Sequence, residues 1–397
     1  MKQVSFIHCA DLHLDSPFKG LTYIPSDRLE DIRQSTFHVL ANLTKAAIEH
    51  KVDFVLMVGD IFDQAEQSMQ AHMALRQAFT KLQAHDIPVY MSFANHDFLQ
   101  GQSFPHHYPE NVYWFDSEQV QALPFYKEGE LLAQIYGFSY EQRAIYIDKS
   151  KEYKKTSDSC LHIATLHGSK GKTEHAAYAP FQLQGLREMG FDYWALGHIH
   201  KREILSTNPV IAYPGNMQGR SIKETGEKGC YLVTLSEHDT DLHFLPLAPI
   251  IFEKRQISLK EYHQLDWLAE FMMTEINREQ LHTVFLQLEC LDVQVDQEAW
   301  FLDGKVTEMI DYANQQAENT FLIGLKWRPA KTQLRGQTGG RFLEEVEAVF
   351  AGNEVPEVMK TMITHPEGKK WTMDWEEAEQ TAINEEARHL LDRLLRE

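Results

Sequence analysis

Tyr193-Trp194-Ala195-Leu196-Gly197-His198-Ile199-His200 is an apolar run that ends on two histidines. In extended chain, residues two apart point the same way, so His198 and His200 face one side. Such a pair gains meaning only if other strand ends bring further ligands. Four other stretches do so. Val4 to Cys9 reads as a buried strand and ends at Ala10-Asp11-Leu12-His13. Phe54 to Val58 is a continuous apolar run, which suits a sheet covered on both faces, and it ends at Gly59-Asp60-Ile61-Phe62-Asp63. Pro88 to Phe93 ends at Ala94-Asn95-His96-Asp97, and Leu161 to Leu166 ends at His167-Gly168.

Between the strands the period changes. Asp27 to Glu49 carries an apolar stripe of Leu29, Ile32, Phe37, Leu40, Leu43 and Ala47 at helical spacing, and Ser68 to Ala84 repeats that spacing. Short strand-like pieces follow at Val112–Phe115 and Ala133–Gly137, then a helix-like segment at Phe181–Met189. Val210–Tyr213 and Gly229–Leu235 have no helix between them, which predicts hairpins or edge pairing. The first part is therefore α/β, with two sheets packed between helices. Composition shifts near Pro246–Glu253. We expect three regions: 1–252, an α/β unit; 253–330, a small α+β domain with a helix over Leu259–Ile276 and a strand over Thr283–Leu288; and 331–397, helical and acidic. The last region has one stripe through Phe342, Val346 and Phe350 and another through Trp375, Ala382 and Leu390.

The groups at the strand ends are Asp11 and His13, Asp60, Asn95 and His96, His167, and His198 and His200. Loops at the C-terminal ends of strands are where α/β proteins place their sites. A single Asp-x-His is usually a surface accident; repetition at five strand ends is not. The donors are oxygen and imidazole without thiolate, which suits manganese, iron or zinc in a hydrolytic site. There are enough for two ions if one carboxylate bridges, a known device for phosphoryl transfer.

In order, these motifs resemble the calcineurin-like metallophosphoesterase signature. Asp11-Leu12-His13-Leu14-Asp15 and Gly59-Asp60-Ile61-Phe62-Asp63 look like its DNA double-strand-break repair nuclease branch, the SbcD/YhaO type. The resemblance covers about the first 250 residues; one departure is Ala94, where the family usually has glycine. It implies a four-layer α/β/β/α sandwich with a small α+β capping domain and a helical C-terminal region. It implies that Asp11, His13, Asp60 and His200 hold one divalent ion, and that Asp60, Asn95, His167 and His198 hold the other. Mn²⁺ is the expected metal, with Fe²⁺ or Zn²⁺ as alternatives. His96 then contacts the scissile phosphate and protonates the leaving oxygen. Asp97 either orients His96 or caps the turn. The implied activity is that of a DNA exonuclease with single-strand endonuclease action, in repair with an SMC-like coiled-coil ATPase bound through the C-terminal region; two-fold homodimers are common in that branch.

Composition sets limits. The 397 residues carry a net charge of -20, which argues against a strongly basic nucleic-acid binder but leaves room for local patches. The candidate substrate-binding residues are Lys170, Lys172, Lys201 and Arg202, which follow site segments. Lys149–Lys155 reads as an exposed basic loop, and Lys326, Arg328, Lys331 and Arg335 with Trp327 form a second basic segment. Tyr153, Tyr178 and Tyr193 are candidate stacking surfaces. Asp15 and Asp63 are either partners of ligand imidazoles or turn residues; His106 and His107 read as loop residues, and His8 as pointing away from the site. Cys9, Cys160, Cys230 and Cys290 form no CxxC pair, as expected of free thiols in the cytoplasm. No apolar run reaches membrane-spanning length, and Met1-Lys2-Gln3 enters a strand at once, leaving no room for a signal peptide. Two other functions fit the motifs: a phosphoesterase acting on a nucleotide, cyclic nucleotide or phosphoprotein, and a non-catalytic DNA-end tether.

Overall fold

Side chains that alternate between two buried faces along the first strands build the fold in layers. A computed structural model of the protein describes residues 2–18, 24, 26–101, 108–156, 159–171, 178–280 and 282–330. The first elements are β1 (Gln3–Cys9), α1 (Ser26–Glu49), β2 (Phe54–Val58), α2 (Met69–Gln83), β3 (Val89–Ser92) and β4 (Val112–Trp114). There follow β5 (Gln121–Lys127), β6 (Glu130–Gly137), β7 (Leu161–His167), α3 (Leu183–Glu188), β8 (Tyr193–Gly197), β9 (Glu203–Thr207), β10 (Val210–Tyr213), β11 (Gly229–Ser236) and β12 (Thr240–Pro246). One six-stranded sheet has the order β12-β11-β1-β2-β3-β4 and a second has the order β5-β6-β7-β8-β10-β9.

In β1 and β2, Phe6, Phe54, Leu56 and Val58 point towards Ile163, Tyr193 and Ala195 of the second sheet, forming the core between the sheets. The intervening Ile7, Val55 and Met57 point the other way and pack on Val39, Leu43, Leu75 and Phe79 of α1 and α2. Outside the second sheet, Trp194 and Leu196 pack with Leu186 of α3, Phe181 and Phe191. The result is the expected α/β/β/α layering. Phe6 and Phe54 stack with ring centroids 4.9 Å apart, and both are fully buried. Each such burial stabilises by about 1.5–3 kcal/mol. Ser68 caps α2 by accepting the Ala71 N–H at 3.1 Å.

β1, β2 and β3 run parallel side by side, and so do β7 and β8. Their C-terminal ends are the five sites of candidate ligands. The late strands β10 and β11 do not pair with each other but fall in different sheets; each makes an antiparallel hairpin with a strand the sequence did not show, β10 with β9 and β11 with β12.

The later elements are β13 (Ile250–Ser258), α4 (Leu265–Ile276), β14 (Thr283–Val293), α5 (Glu298–Leu302), α6 (Lys305–Gln316) and β15 (Thr320–Pro329), with sheet order β13-β14-β15. The chain divides into two compact units: one of Met1–Arg255, Glu270–Gln287 and Met309–Gly324, the other of Gln256–Ala269, Leu288–Glu308 and the described residues from Leu325 on. The helix expected from Leu259 starts at Leu265 instead, and the Leu259 N–H donates to the Leu291 carbonyl at 2.8 Å. The helical stripes expected over 331–397 lie outside the described residues, as do Lys172, Lys331, Arg335, His106 and His107.

Lys151, Lys154 and Lys155 are exposed as expected, but Lys149–Glu152 forms a 3₁₀ turn and Lys149 turns inward. Lys149 is 4% exposed, bonded to Glu152 at 2.5 Å, with its ammonium 5.2 Å from the Phe138 ring centroid. Tyr153 and Tyr193 are buried, not stacking surfaces: the Tyr153 hydroxyl donates to the Thr165 carbonyl, and the Tyr193 hydroxyl pairs with His8 Nδ1 at 2.9 Å. All four cysteines are free and buried. Among the described residues, no helix is long and apolar enough to cross a membrane.

Candidate metal centre

The loop leaving β1 is held along the loop leaving β2. The Asp11 N–H donates to the Gly59 carbonyl at 3.2 Å, and the His13 N–H to the Asp60 carbonyl at 3.0 Å. Asp11, His13, Asp60 and His198 all have positive φ, at 51°, 46°, 48° and 99°. Side chains adopt that region at a cost of order 1–3 kcal/mol each, and such strain clusters at functional sites. Glycine makes room around the ligands. A Cβ at Gly59, where φ is 72°, would lie 2.5 Å from His167 Nδ1 and 2.6 Å from Ala94 Cβ. Ala94 itself is not among the residues with positive φ, so its methyl group costs no backbone strain.

The side chains converge. His167 Nε2 lies 3.3 Å from Asp60 Oδ2, 4.0 Å from Asp11 Oδ1 and 3.1 Å from Asn95 Oδ1. His200 Nε2 lies 3.8 Å from Asp11 Oδ1, and His13 Nε2 lies 3.9 Å from Asp60 Oδ2. The His198 ring is 5.4 Å from that of His167, and its backbone N–H donates to the Asp11 carboxylate at 3.0 Å. Three groupings bring ligand atoms within 4.8 Å of one another: Asp11, His13 and His200; Asp11, Asp60 and His167; and His13, Asp60 and His96.

This donor set fits divalent cations. His13 Nε2 and His200 Nε2 face each other at 3.1 Å. On the far side of each ring a carboxylate waits: Glu224 Oε1 at 2.6 Å from His200 Nδ1, and Asp63 Oδ1 at 3.4 Å from His13 Nδ1. Glu224 fixes a proton on His200 Nδ1, while the nearby Asp63 charge favours one on His13 Nδ1 without a hydrogen bond; with both protons there, the two Nε2 lone pairs face each other. A cation between them relieves that opposition.

Burial sets the protonation states. Burial above all pushes His13 and His198 down to about 3, so both are neutral and able to ligate. Burial opposes ionisation of Asp60, yet His167, His13 and His96 around it hold its carboxyl well below the usual range. Burial works against a charged His167 too, but Asp60 and Asp11 raise it to about 9. Asp97 is raised to about 7 by burial and by the charge of Asp60.

Asp97 is a clamp between loops. Its carboxylate accepts the N–H groups of Ala94 at 2.6 Å, Ile61 at 2.7 Å and Phe62 at 3.3 Å. The His96 ring is oriented instead by the Asp63 carbonyl, 2.7 Å from Nδ1, and the His96 N–H donates to Asp60 Oδ1 at 3.0 Å. Asp63 lies beside His13, whereas Asp15 is exposed and its backbone N–H bonds to the Thr36 hydroxyl. His8 points away as expected, its Nε2 against the Leu196 carbonyl.

Next to His96 and Asn95 opens a cleft of about 650 Å³ lined also by Phe18, Phe98, Arg143 and Arg220. None of Lys170, Lys201 and Arg202 lines it. Lys170 and Lys201 are exposed, and Arg202 stacks on the Phe244 ring at 3.6 Å. Tyr178 does reach the site, its ring 4.5 Å from that of His198. Arg143, Arg220 and Glu224 were not expected from the sequence. The signal was faint: Arg220 and Glu224 are four residues apart in a polar stretch after Pro214-Gly215-Asn216.

Residues 4–202 match the calcineurin-like phosphoesterases, and the chain belongs to that family. It is 35% identical over 411 residues to YhaO of Bacillus subtilis (strain 168), an uncharacterized metallophosphoesterase, covering 100% of this chain and 99% of that one. It is 28% identical over 274 residues to the DNA double-strand break repair protein Mre11 of Methanocaldococcus jannaschii, covering 66% and 69% of the two chains. The Mre11 of Thermoplasma acidophilum is 25% identical over 261 residues, 62% of this chain and 65% of its own. These relatives support the DNA-repair nuclease branch of the family.

Proposed function

We propose that this phosphoesterase is a two-metal DNA nuclease, an exonuclease with single-strand endonuclease action. The observation that carries the reading is the convergence of buried carboxylates and imidazoles at one edge of both sheets, with His96 between them and an arginine-lined cleft. Asp11, His13, Asp60 and His200 would hold one ion, and Asp60, Asn95, His167 and His198 the other. Bound there, two divalent ions, Mn²⁺ in this reading, neutralise phosphate charge and make water a better nucleophile. Hydrolysis breaks one P–O ester bond, and the departing oxygen needs a proton. His96 supplies it as the imidazolium: Nδ1–H stays donated to the Asp63 carbonyl, the second proton passes from Nε2 to the leaving oxygen, and the ring is left neutral. Arg143 and Arg220 offer cationic contacts to the diester, and Phe18 and Phe98 an apolar wall for a sugar or base.

The rest of the reading rests on the resemblance to the repair branch: a capping role for 253–330, an SMC-like ATPase bound through 331–397, a homodimer, and a cytoplasmic setting. Purified chain with Mn²⁺, given end-labelled linear DNA and a small chromogenic phosphodiester, tests the substrate. Cleavage of both supports a DNA nuclease. Cleavage of the small ester alone points to a nucleotide or cyclic-nucleotide substrate, and cleavage of neither to a DNA-end tether.

A further inference from the structure

Behind the two facing imidazoles lies a charge network that reaches across both sheets. Glu224 Oε1 lies 2.6 Å from His200 Nδ1, while Oε2 accepts from the Arg220 backbone N–H at 2.7 Å and from Asn216 Nδ2 at 2.9 Å. The Arg220 guanidinium donates to Asp63 Oδ1 and lies 3.9 Å from Glu224 Oε1. Asp63 Oδ1 in turn faces His13 Nδ1 at 3.4 Å. The order is His13, Asp63, Arg220, Glu224, His200. Asp63 follows β2 in the first sheet, and Glu224 follows β10 in the second.

We propose that Arg220, by joining the carboxylates of Asp63 and Glu224, positions His13 and His200 for one metal ion and leaves the other ion's ligands untouched. The inference rests on the two-ion reading above. Without a cation between them, the two carboxylates repel each other behind the imidazoles. The side chains of Asp63, Glu224 and Arg220 are 11%, 15% and 20% exposed, so water screens that repulsion poorly. A guanidinium fork can engage two acceptors at once, whereas an ammonium is a point charge. One of the second ion's two imidazoles is braced differently: His167 Nδ1 donates to the Val58 backbone carbonyl at 3.0 Å. The imidazoles of the first ion are therefore backed by a side-chain charge network, and His167 by the backbone. Only the first ion is sensitive to Arg220.

The test is Mn²⁺ titration calorimetry on the full chain, with electron paramagnetic resonance to separate paired from single ions. Wild-type protein binds two ions. In Arg220→Met, one ion keeps its affinity and the other weakens by about 10–100-fold, the usual effect of losing such a partner. Glu224→Gln shifts the same ion in the same direction. Where Arg220→Met does not fold, Arg220→Lys carries the test, because a single ammonium cannot span both carboxylates and the same ion weakens. Wild-type affinity for both ions in the variants, or equal weakening of both, overturns the inference alone. Fewer than two ions in wild-type protein overturns the two-ion reading beneath it.

Discussion

Gly59 has two reasons to be glycine, and they can be separated. Its φ of 72° disfavours any side chain, and a Cβ would crowd His167 and Ala94. Gly190 has the same φ of 72° with nothing within 4 Å of its would-be Cβ. In chemical denaturation, Gly190→Ala should lose about 1 kcal/mol, the backbone share. Gly59→Ala should lose clearly more, and its Mn²⁺ affinity should fall because His167 is displaced. Equal losses would refute the crowding. His8 tests burial in the same core. Burial pushes it down to about 3, against 6.5 in the unfolded chain. The unfolded state then binds the extra proton, so stability is intact above about pH 6.5 and drains as pH falls towards 3. The slope is about 1.4 kcal/mol per pH unit. His8→Gln should remove that slope, read as the difference between the acid-denaturation curves of the two proteins.

Among the elements, β8 leads to two histidines to which the proposed two-ion site gives different duties. His198 and His200 leave the same strand, but His198 packs beside His167 and His200 faces His13. His198→Ala and His200→Ala should therefore each weaken a different ion, and excess Mn²⁺ should rescue their activities with different concentration dependences. Identical losses and identical rescue would refute the split. These positions were legible in the sequence because ligand residues recur just past five strand ends, which is a local pattern; the two-residue period itself does not aim them, since Asp11, His13 and His198 lie beyond β1 and β8 with φ of 51°, 46° and 99°. Arg220 and Glu224 were not, because they lie between β10 and β11 in irregular chain with no period to read. Local polarity also misled. Lys149 looks solvated from its neighbours, yet Glu152 and the Phe138 ring pair it inside the fold, and Tyr153 and Tyr193 are buried because each hydroxyl finds a distant acceptor.

For the whole molecule, the candidate metal site joins two sheets whose shared core is mostly apolar, with a few polar contacts such as His8 to Tyr193. Bound ions should therefore stabilise the fold as well as the site. Mn²⁺ at about a hundred times its dissociation constant adds about 2.7 kcal/mol, so the melting temperature should rise with Mn²⁺ and fall on chelation. A melt unchanged by either would contradict metal binding at this interface. The central claim is that His96 acts on the leaving oxygen of a DNA phosphodiester and does not hold a metal, although it lies within reach of His13 and Asp60. The most direct measurement compares wild-type protein and His96→Ala on end-labelled DNA, with Mn²⁺ content determined for both. Equal metal content and a rate lower by about 10²–10⁴-fold are expected in the variant. A variant that cleaves DNA at the wild-type rate, or that loses an ion along with its activity, would contradict that claim.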